Sequence, residues 1–101
     1  MTLKNGEVMR LKKRIAIVTG GAGGIGEAIA LMFAQHGAGV IVADLNYEGA
    51  TETAKDINKK GGLAHAIKVD VTKIDSVQNL IDESIKTFRQ LDILVNVAGV
   101  G

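Results

Sequence analysis

The sequence has 101 residues, enough for one small domain with a single core and too few for a second domain of its own. Hydrophobic residues make up 47% and charged residues 23%, and the net charge of +1 excludes binding to nucleic acid or anionic membranes through bulk charge. There is no cysteine, which excludes disulfides, thiolate nucleophiles and cysteine zinc sites. Because the sequence shows neither a membrane-length apolar run nor a signal peptide, we expect a cytoplasmic protein with no membrane partner.

The N-terminal residues differ from the rest of the chain. Residues 1–8 are polar and aperiodic, and we expect a flexible tail there, ahead of a domain that spans residues 9–101. Four of the five residues 10–14 are basic. A nucleic-acid patch and a solvated approach to a buried strand both fit this segment, and the lack of a nearby aromatic residue favours the second. We therefore expect no nucleic-acid partner.

Four strands are predicted along the domain. Continuous apolar runs at 15–19 and 40–43 are typical of strands that are covered on both faces of a parallel sheet, and residues 91–97, apolar throughout their centre, predict the fourth strand. Residues 63–69 interleave polar with apolar side chains, which favours a strand near a sheet edge. Asp44 closes the run at 40–43, and residues 63–69 end at Asp70.

Three helices are predicted between the strands. Apolar residues at helical spacing indicate a first helix over about 24–36, ended by Gly37, and a second helix that ends at the glycine pair 61–62. The third helix follows a Thr-x-x-Asp capping box at 72–75. Strands that alternate with helices predict a doubly wound α/β fold of the Rossmann type, with four parallel strands in the order 3-2-1-4 and three helices, the first two on one face.

The segment 19–26, Thr-Gly-Gly-Ala-Gly-Gly-Ile-Gly, joins the first strand to the first helix. Backbone N–H groups at such a helix N-terminus bind phosphate. By the roles of such glycines, Gly20 permits the tight turn, Gly24 lets the backbone approach the phosphates and Gly26 lets the helix pack closely on the sheet. Because the segment lies within a strand–helix–strand unit, a dinucleotide site is favoured over a merely structural turn.

Asp44 closes the second strand, 18 residues beyond Gly26. This spacing is close to that at which a carboxylate binds the adenosine ribose hydroxyls of a dinucleotide. A carboxylate there repels a 2′-phosphate, and neither Gly23 nor Leu45 supplies a cation, so NAD is predicted over NADP. The alternative is that Asp44 caps the following helix, a role that Asn46 can fill instead.

The glycine segment 19–26, the Asp-Val pair at 70–71 and the Asn-Val-Ala-Gly segment 96–99 resemble the short-chain dehydrogenase/reductase family over residues 9–101. The resemblance implies an oxidoreductase that transfers hydride between NAD(H) and an alcohol or carbonyl substrate. The family's usual Asn-Asn-Ala-Gly is Asn-Val-Ala-Gly here, so the contact of the second asparagine is lost and Val97 is expected to pack.

The resemblance also implies roles for individual residues. Asp70 would accept a hydrogen bond from the adenine amino group and the backbone of Val71 would contact the ring. Asn96, Ala98 and Gly99 would line the path towards the nicotinamide ribose. The complete set of predicted cofactor-binding residues is Thr19, Gly20, Gly24, Ile25, Gly26, Asp44, Leu45, Asp70, Val71, Asn96, Ala98 and Gly99.

No catalytic residue and no metal site are predicted. The resemblance implies that proton transfer is carried out by a tyrosine in a Tyr-x-x-x-Lys pattern beyond the asparagine motif, together with a serine. The one tyrosine, Tyr47, is followed four positions later by Thr51, so it does not fit that pattern. His36 and His65 have no nucleophile or metal-ligand partner at a suitable spacing.

Two functions therefore stay open for this chain. One is the NAD-binding portion of a short-chain dehydrogenase/reductase, which binds the cofactor without catalysing turnover by itself. The other is a stand-alone nucleotide-binding or oligomerisation module that is not an enzyme. The apolar fourth strand, with Ile93, Leu94 and Val95, predicts a homodimer or higher oligomer in which two such strands join across a two-fold axis.

Overall fold

Four strands and three helices alternate along the chain in the computed structural model, which describes residues 11–97. The predicted tail 1–8, the predicted domain boundary at residue 9, and Ala98 and Gly99 lie outside the described residues. The elements are β1 (Ile15–Thr19), α1 (Gly24–Gln35), β2 (Gly39–Asp44), α2 (Tyr47–Lys59), β3 (Leu63–Lys68), α3 (Ile74–Phe88) and β4 (Ile93–Asn96).

The strands form one parallel sheet in the order β3-β2-β1-β4, which confirms the predicted fold class and strand order. Thr19 of β1 is in register with Ala43 of β2 on one side and with Asn96 of β4 on the other. Asp44, the last residue of β2, is in register with Lys68 of β3. The carboxyl ends of β1, β2 and β4 therefore meet at one end of the sheet.

The two faces of the sheet carry separate cores because successive side chains of a strand point to opposite faces. On one face Val18, Val40 and Val42 pack in a cluster with residues of α1 and α2, including Ala30 and Ile57. Burying each of the larger side chains contributes about 1.5–3 kcal/mol. On the other face, the buried cluster consists of Ile17, Ile41, Ala43, Ile67, Val69 and Leu80 of α3. The predicted division of the helices, two on one face and one on the other, is confirmed.

The strand β3 lies at one edge of the sheet, as its mixed sequence predicted. Its side chains at Leu63, His65 and Lys68 are exposed. The side-chain amide of Asn58, from α2, brackets the backbone of Ala64: Nδ2 donates to the Ala64 carbonyl at 3.1 Å and the Ala64 N–H donates to Oδ1 at 2.8 Å. Asn58 thereby takes the hydrogen-bonding place that a further strand would take at this edge.

The strand β4 lies at the opposite edge and is shorter than the predicted 91–97. Its side chains are alternately half-buried and exposed, and Leu94 is 56% exposed. Within the described residues β4 forms an edge of the sheet, as its prediction as an apolar edge strand requires. On that face α3 leaves a cavity, which Leu94 lines together with Val77, Leu80 and Ile81.

The start of β4 is held by the Asp92 carboxylate as well as by a backbone bond to β1. The N–H of Ile15 donates to Oδ2 of Asp92 at 2.8 Å, and the Asp92 N–H donates to the Ile15 carbonyl at 2.9 Å. Gln90 Nε2 and Arg14 Nη1 also donate to this carboxylate. These bonds, that of Ile15 first, hold the pKa of Asp92 below its ordinary value because they stabilise the ionised form.

The helix ends show where local sequence signals succeed and fail. Gly37 has φ 95° just beyond α1, as the predicted helix end requires, although α1 itself ends at Gln35. The prediction of a capping box at 72–75 is wrong, because α3 begins after Lys73 and no side chain caps it. Thr72 is one residue too early to cap it, and its hydroxyl and N–H both donate to Oδ1 of Asp70. Among residues 11–97, no helix is long and apolar enough to cross a membrane.

Candidate functional site

The glycine turn lies at the carboxyl end of β1 and is tied to the neighbouring strand. Gly20 has φ 77°, and its N–H donates to the carbonyl of Ala43 in β2 at 2.8 Å. Gly24, the first residue of α1, has φ 60°, and a Cβ added to it would meet nothing within 4 Å. The positive φ at both positions favours glycine, and the side of the turn at Gly24 is open to a ligand.

Gly26 allows the closest approach in the site. A Cβ added there would lie 1.9 Å from the carbonyl oxygen of Gly20 and 3.1 Å from the Cα of Gly21. The close contact is therefore between α1 and the turn itself, whereas the sequence indicated close packing of the helix on the sheet. The N-terminus of α1 is held against the turn, and its first N–H groups lie where an anion can be bound.

Asp44 joins the glycine turn to the loop that follows β2. Its Oδ2 accepts from the N–H of Ala22 at 3.0 Å, and its Oδ1 accepts from the N–H of Asn46 at 2.9 Å. Asn46, and not Asp44, caps α2, since Asn46 Oδ1 accepts from the N–H of Gly49 at 3.0 Å. A carboxylate has about four lone-pair sites, so Asp44 keeps acceptor capacity for a ligand.

At the switch point between β1 and β4, Thr19 and Asn96 are joined directly. The Thr19 hydroxyl, which is buried, donates to Oδ1 of Asn96 at 2.7 Å. Asn96 keeps the NH2 donor of its amide and a second lone pair on the oxygen. A ligand in this crevice would therefore meet a hydrogen-bond donor from β4.

Asp70 lies beyond the end of β3, and Thr72 holds it in place. Its Oδ1 accepts from both the hydroxyl of Thr72, at 2.6 Å, and the N–H of Thr72, at 3.0 Å. These bonds, the hydroxyl's first, lower the pKa of Asp70, and the charge of Lys73 adds to the effect. The carboxylate is therefore ionised at neutral pH and can accept a hydrogen bond.

The predicted residues within 11–97 thus gather around one end of the sheet. Ile25 is 66% exposed at the start of α1, and Leu45 is 60% exposed after β2. Val71 shares the lining of an apolar cavity of about 110 Å³ with residues from three other elements, namely Thr19, Val77, Leu80, Ile81, Leu94 and Asn96. These residues lie at the same end of the sheet because the carboxyl ends of parallel strands meet there.

Two groups at this end of the sheet were not predicted from the sequence. The backbone N–H of Ala22 holds the Asp44 carboxylate, and the buried hydroxyl of Thr53 donates to the carbonyl of Gly21 at 2.9 Å. A backbone donor carries no side-chain signal. Thr53 did carry a sequence signal, because it is a polar residue on the same face of α2 as the buried Ala50, Ala54 and Ile57.

A four-stranded parallel sheet with helices on both faces and a glycine turn after its first strand defines a Rossmann-type α/β domain. A sequence model of the short chain dehydrogenase family matches residues 14–101. The chain belongs to the short-chain dehydrogenase family.

Individual relatives agree with this assignment. Over 97 residues the chain is 40% identical to the 7α-hydroxysteroid dehydrogenase of Escherichia coli K12, covering 96% of this chain and 38% of the relative. Over 90 residues it is 47% identical to the uncharacterized oxidoreductase YuxG of Bacillus subtilis strain 168, covering 87% of this chain and 13% of the relative.

A solved structure of 7α-hydroxysteroid dehydrogenase, complexed with NADH and 7-oxo glycochenodeoxycholic acid, has a TM-score of 0.87 at 38% identity. The comparison covers 93% of this chain and 37% of that one. The chain thus spans between 13% and 38% of the lengths of these relatives.

Proposed function

We propose that this chain binds NAD, as the cofactor-binding portion of an oxidoreductase that in complete form transfers hydride between NAD(H) and an alcohol or carbonyl substrate. The observation that carries the proposal is the bond of 3.0 Å from the Ala22 N–H to Asp44. It joins a phosphate-binding turn and a ribose-binding carboxylate into one unit. The NADH bound in the related hydroxysteroid dehydrogenase supports the same class of cofactor.

The residues present fit a dinucleotide. The positive φ and open side of Gly24 leave room for phosphate beside backbone N–H groups, and the Asp44 carboxylate suits a ribose diol. Asp70 would accept from the adenine amino group, and Asn96 would contact the nicotinamide half. The bound cofactor would supply the hydride or accept it. We assign the described residues to binding the cofactor and none of them to proton transfer.

The preference for NAD over NADP is part of the proposal. The 2′-phosphate of NADP would be placed against the Asp44 carboxylate, and like charges repel at short range. Leu45 and Gly23, the neighbouring exposed residues, carry no cation that could offset the repulsion. The cytoplasmic location expected from the sequence stays a prediction.

Calorimetric titration of the folded chain with NAD tests the proposal. We expect saturable one-site binding, with NADP bound at least tenfold more weakly. Because hydrogen bonds lower the pKa of Asp70, its carboxylate stays charged as the pH falls through the ordinary range of an aspartate. The contribution of Asp70 should therefore persist as the pH falls through the ordinary pKa of an aspartate, about 3.9, and be lost only below its lowered pKa. Well-folded protein that gives no saturable heat would reject the proposal.

The second candidate, an oligomerisation module, is favoured by the contrast between the two sheet edges. Within residues 11–97, β4 pairs only with β1, whereas Asn58 occupies the edge of β3 at Ala64. An open strand edge invites pairing with a second chain. We propose that two copies of this chain associate through β4, which is compatible with NAD binding at the ends of the strands.

The variant Leu94→Lys tests this association. The wild-type chain should have the mass of a dimer in light scattering, and Leu94→Lys should dissociate it, because two lysines would face each other near the two-fold axis. Leu63→Lys is the matched control, since Leu63 lies on the opposite edge strand and both leucines are 56% exposed. A monomeric wild type, or equal effects of the two variants, would contradict association through β4.

A further inference from the structure

Thr53 of α2 contacts the glycine turn from its inner side. Its side chain is 1% exposed, and its hydroxyl lies 2.9 Å from the carbonyl oxygen of Gly21. The Gly49 carbonyl oxygen lies at 3.3 Å and Glu27 Oε2 at 3.5 Å. A hydroxyl has one proton to donate, and the shortest of these contacts is the one to Gly21.

The first turn of α2 is also packed against the glycine turn. A Cβ added to Gly49 would lie 2.8 Å from the Cβ of Ala22 and 2.7 Å from Nδ2 of Asn46. Asn46 in turn caps the N–H of Gly49 at 3.0 Å. The helix that carries Thr53 is therefore held close to the turn by its own N-terminal residues.

The peptide between Gly21 and Ala22 is held on both sides. Thr53 donates to its carbonyl oxygen, and Asp44 Oδ2 accepts from its N–H at 3.0 Å. In a planar trans peptide the carbonyl and the N–H point in opposite directions. Fixing the direction of the carbonyl therefore also fixes the direction in which the N–H meets Asp44.

We propose that Thr53 is a positioning residue of the dinucleotide site, acting through the Gly21–Ala22 peptide on the Asp44 carboxylate. This inference rests on the proposed binding of NAD. Thr53 is buried and does not itself touch the cofactor. Its hydroxyl holds the peptide plane, the peptide N–H holds one carboxylate oxygen, and the carboxylate selects the ribose of NAD against the phosphorylated ribose of NADP.

The variant Thr53→Val removes the hydroxyl and keeps the shape of the side chain. We expect its affinity for NAD to fall by at most about tenfold, because the worth of one buried hydrogen bond limits what its loss can transmit to the ligand. Its preference for NAD over NADP should fall as well, because Asp44 is no longer held. A variant that only destabilises the fold weakens both ligands alike and leaves their ratio unchanged. Thr53→Ser, which retains the hydroxyl, should restore the ratio.

Thr51→Val is the matched control on the same helix. In the described part of the chain, the Oγ1 atom of Thr51 is buried and has no hydrogen-bond partner. Its removal should change neither the affinity nor the ratio. If Thr53→Val does not fold, the pair Thr53→Ser and Thr53→Ala decides, because these two variants differ only by the hydroxyl.

An amide spectrum of the protein without ligand gives a readout that needs no cofactor. The N–H signal of Ala22 should move in Thr53→Val and Thr53→Ala, and should stay in place in Thr51→Val. Two results would overturn the inference alone, provided that the wild type binds NAD. One is a ratio of NAD to NADP affinity in Thr53→Val equal to that of the wild type, and the other is an Ala22 signal that does not move. A folded wild type that binds neither dinucleotide overturns the proposed function and the inference with it.

Discussion

Replacement of Gly26 by alanine should abolish NAD binding, and overpacking by the added Cβ should cost about 3 kcal/mol or more, the upper range for such changes. The added Cβ would lie 1.9 Å from the carbonyl oxygen of Gly20 and 2.6 Å from its carbonyl carbon. Both atoms belong to the backbone, so no flexible side chain can move aside. Relief requires α1 to shift away from the turn, and this shift would separate the N–H groups of the helix from the phosphate site.

Helix propensity acts in the opposite direction and is too small to compensate. Alanine inside a helix is favoured over glycine by about 1 kcal/mol. A net loss of about 2 kcal/mol or more should remain, which for a domain of this size lowers the midpoint of thermal unfolding by about 8 °C or more. Differential scanning calorimetry of the two proteins measures this loss directly.

Gly23→Ala is the control for the removal of a glycine from the same turn. Gly23 has φ −176°, an extended conformation that any residue adopts, and an added Cβ would meet nothing within 4 Å. Gly23→Ala should cost at most about 1 kcal/mol, since Gly23 is the N-cap of α1 and alanine caps less well than glycine. Equal midpoints for Gly26→Ala and Gly23→Ala would show that the approach of α1 to the turn is not required.

The arrangement of the fold could be predicted because its determinants are local patterns combined with general chain geometry. The buried strands β1 and β2 are nearly continuous apolar runs, and the glycines beyond α1 and α2 have the positive φ that helix ends favour, 95° at Gly37 and 90° at Gly61. Right-handed crossovers then leave few orders for four parallel strands.

The errors concern the ends of two elements. Thr72 fits a capping box by spacing, yet α3 begins at Ile74, so Lys73 and not Thr72 is its N-cap. The strand β4 is shorter than the predicted 91–97 and spans Ile93–Asn96. Leu94 is 56% exposed because α3 leaves a cavity beside it.

The sequence could predict that these residues come together at one end of the sheet, but not the bonds that connect them, and their contact with a cofactor stays a prediction. Asp44 and Gly26 were chosen by their separation along the sequence, which reflects the length of a strand–helix–strand unit. The bonds that unite the site join residues 22 and 32 positions apart, Ala22 with Asp44 and Gly21 with Thr53. No periodicity encodes such contacts, because they depend on how closely α2 approaches the turn.

Asp44 should control which dinucleotide is bound, and Asp44→Asn isolates its charge from its shape. The amide keeps one acceptor oxygen and loses the other, so either Ala22 or Asn46 gives up its acceptor. Affinity for NAD should fall by about 10- to 100-fold, since hydrogen bonds to charged groups contribute about 1.5–3 kcal/mol. NADP should lose less or gain, because the repulsion of its 2′-phosphate is removed.

Competitive titration of NAD and NADP with both proteins measures the change in preference. Asp82→Asn is the matched control, since it also removes one negative charge but lies on α3, where Asp82 accepts a hydrogen bond from Gln78 at 3.0 Å. That variant should retain the wild-type preference, because Asp82 is exposed and its charge is screened by salt. If Asp44→Asn weakens NAD and NADP to the same extent, Asp44 acts only as a support for the glycine turn, and the choice between the two cofactors must be made by other residues.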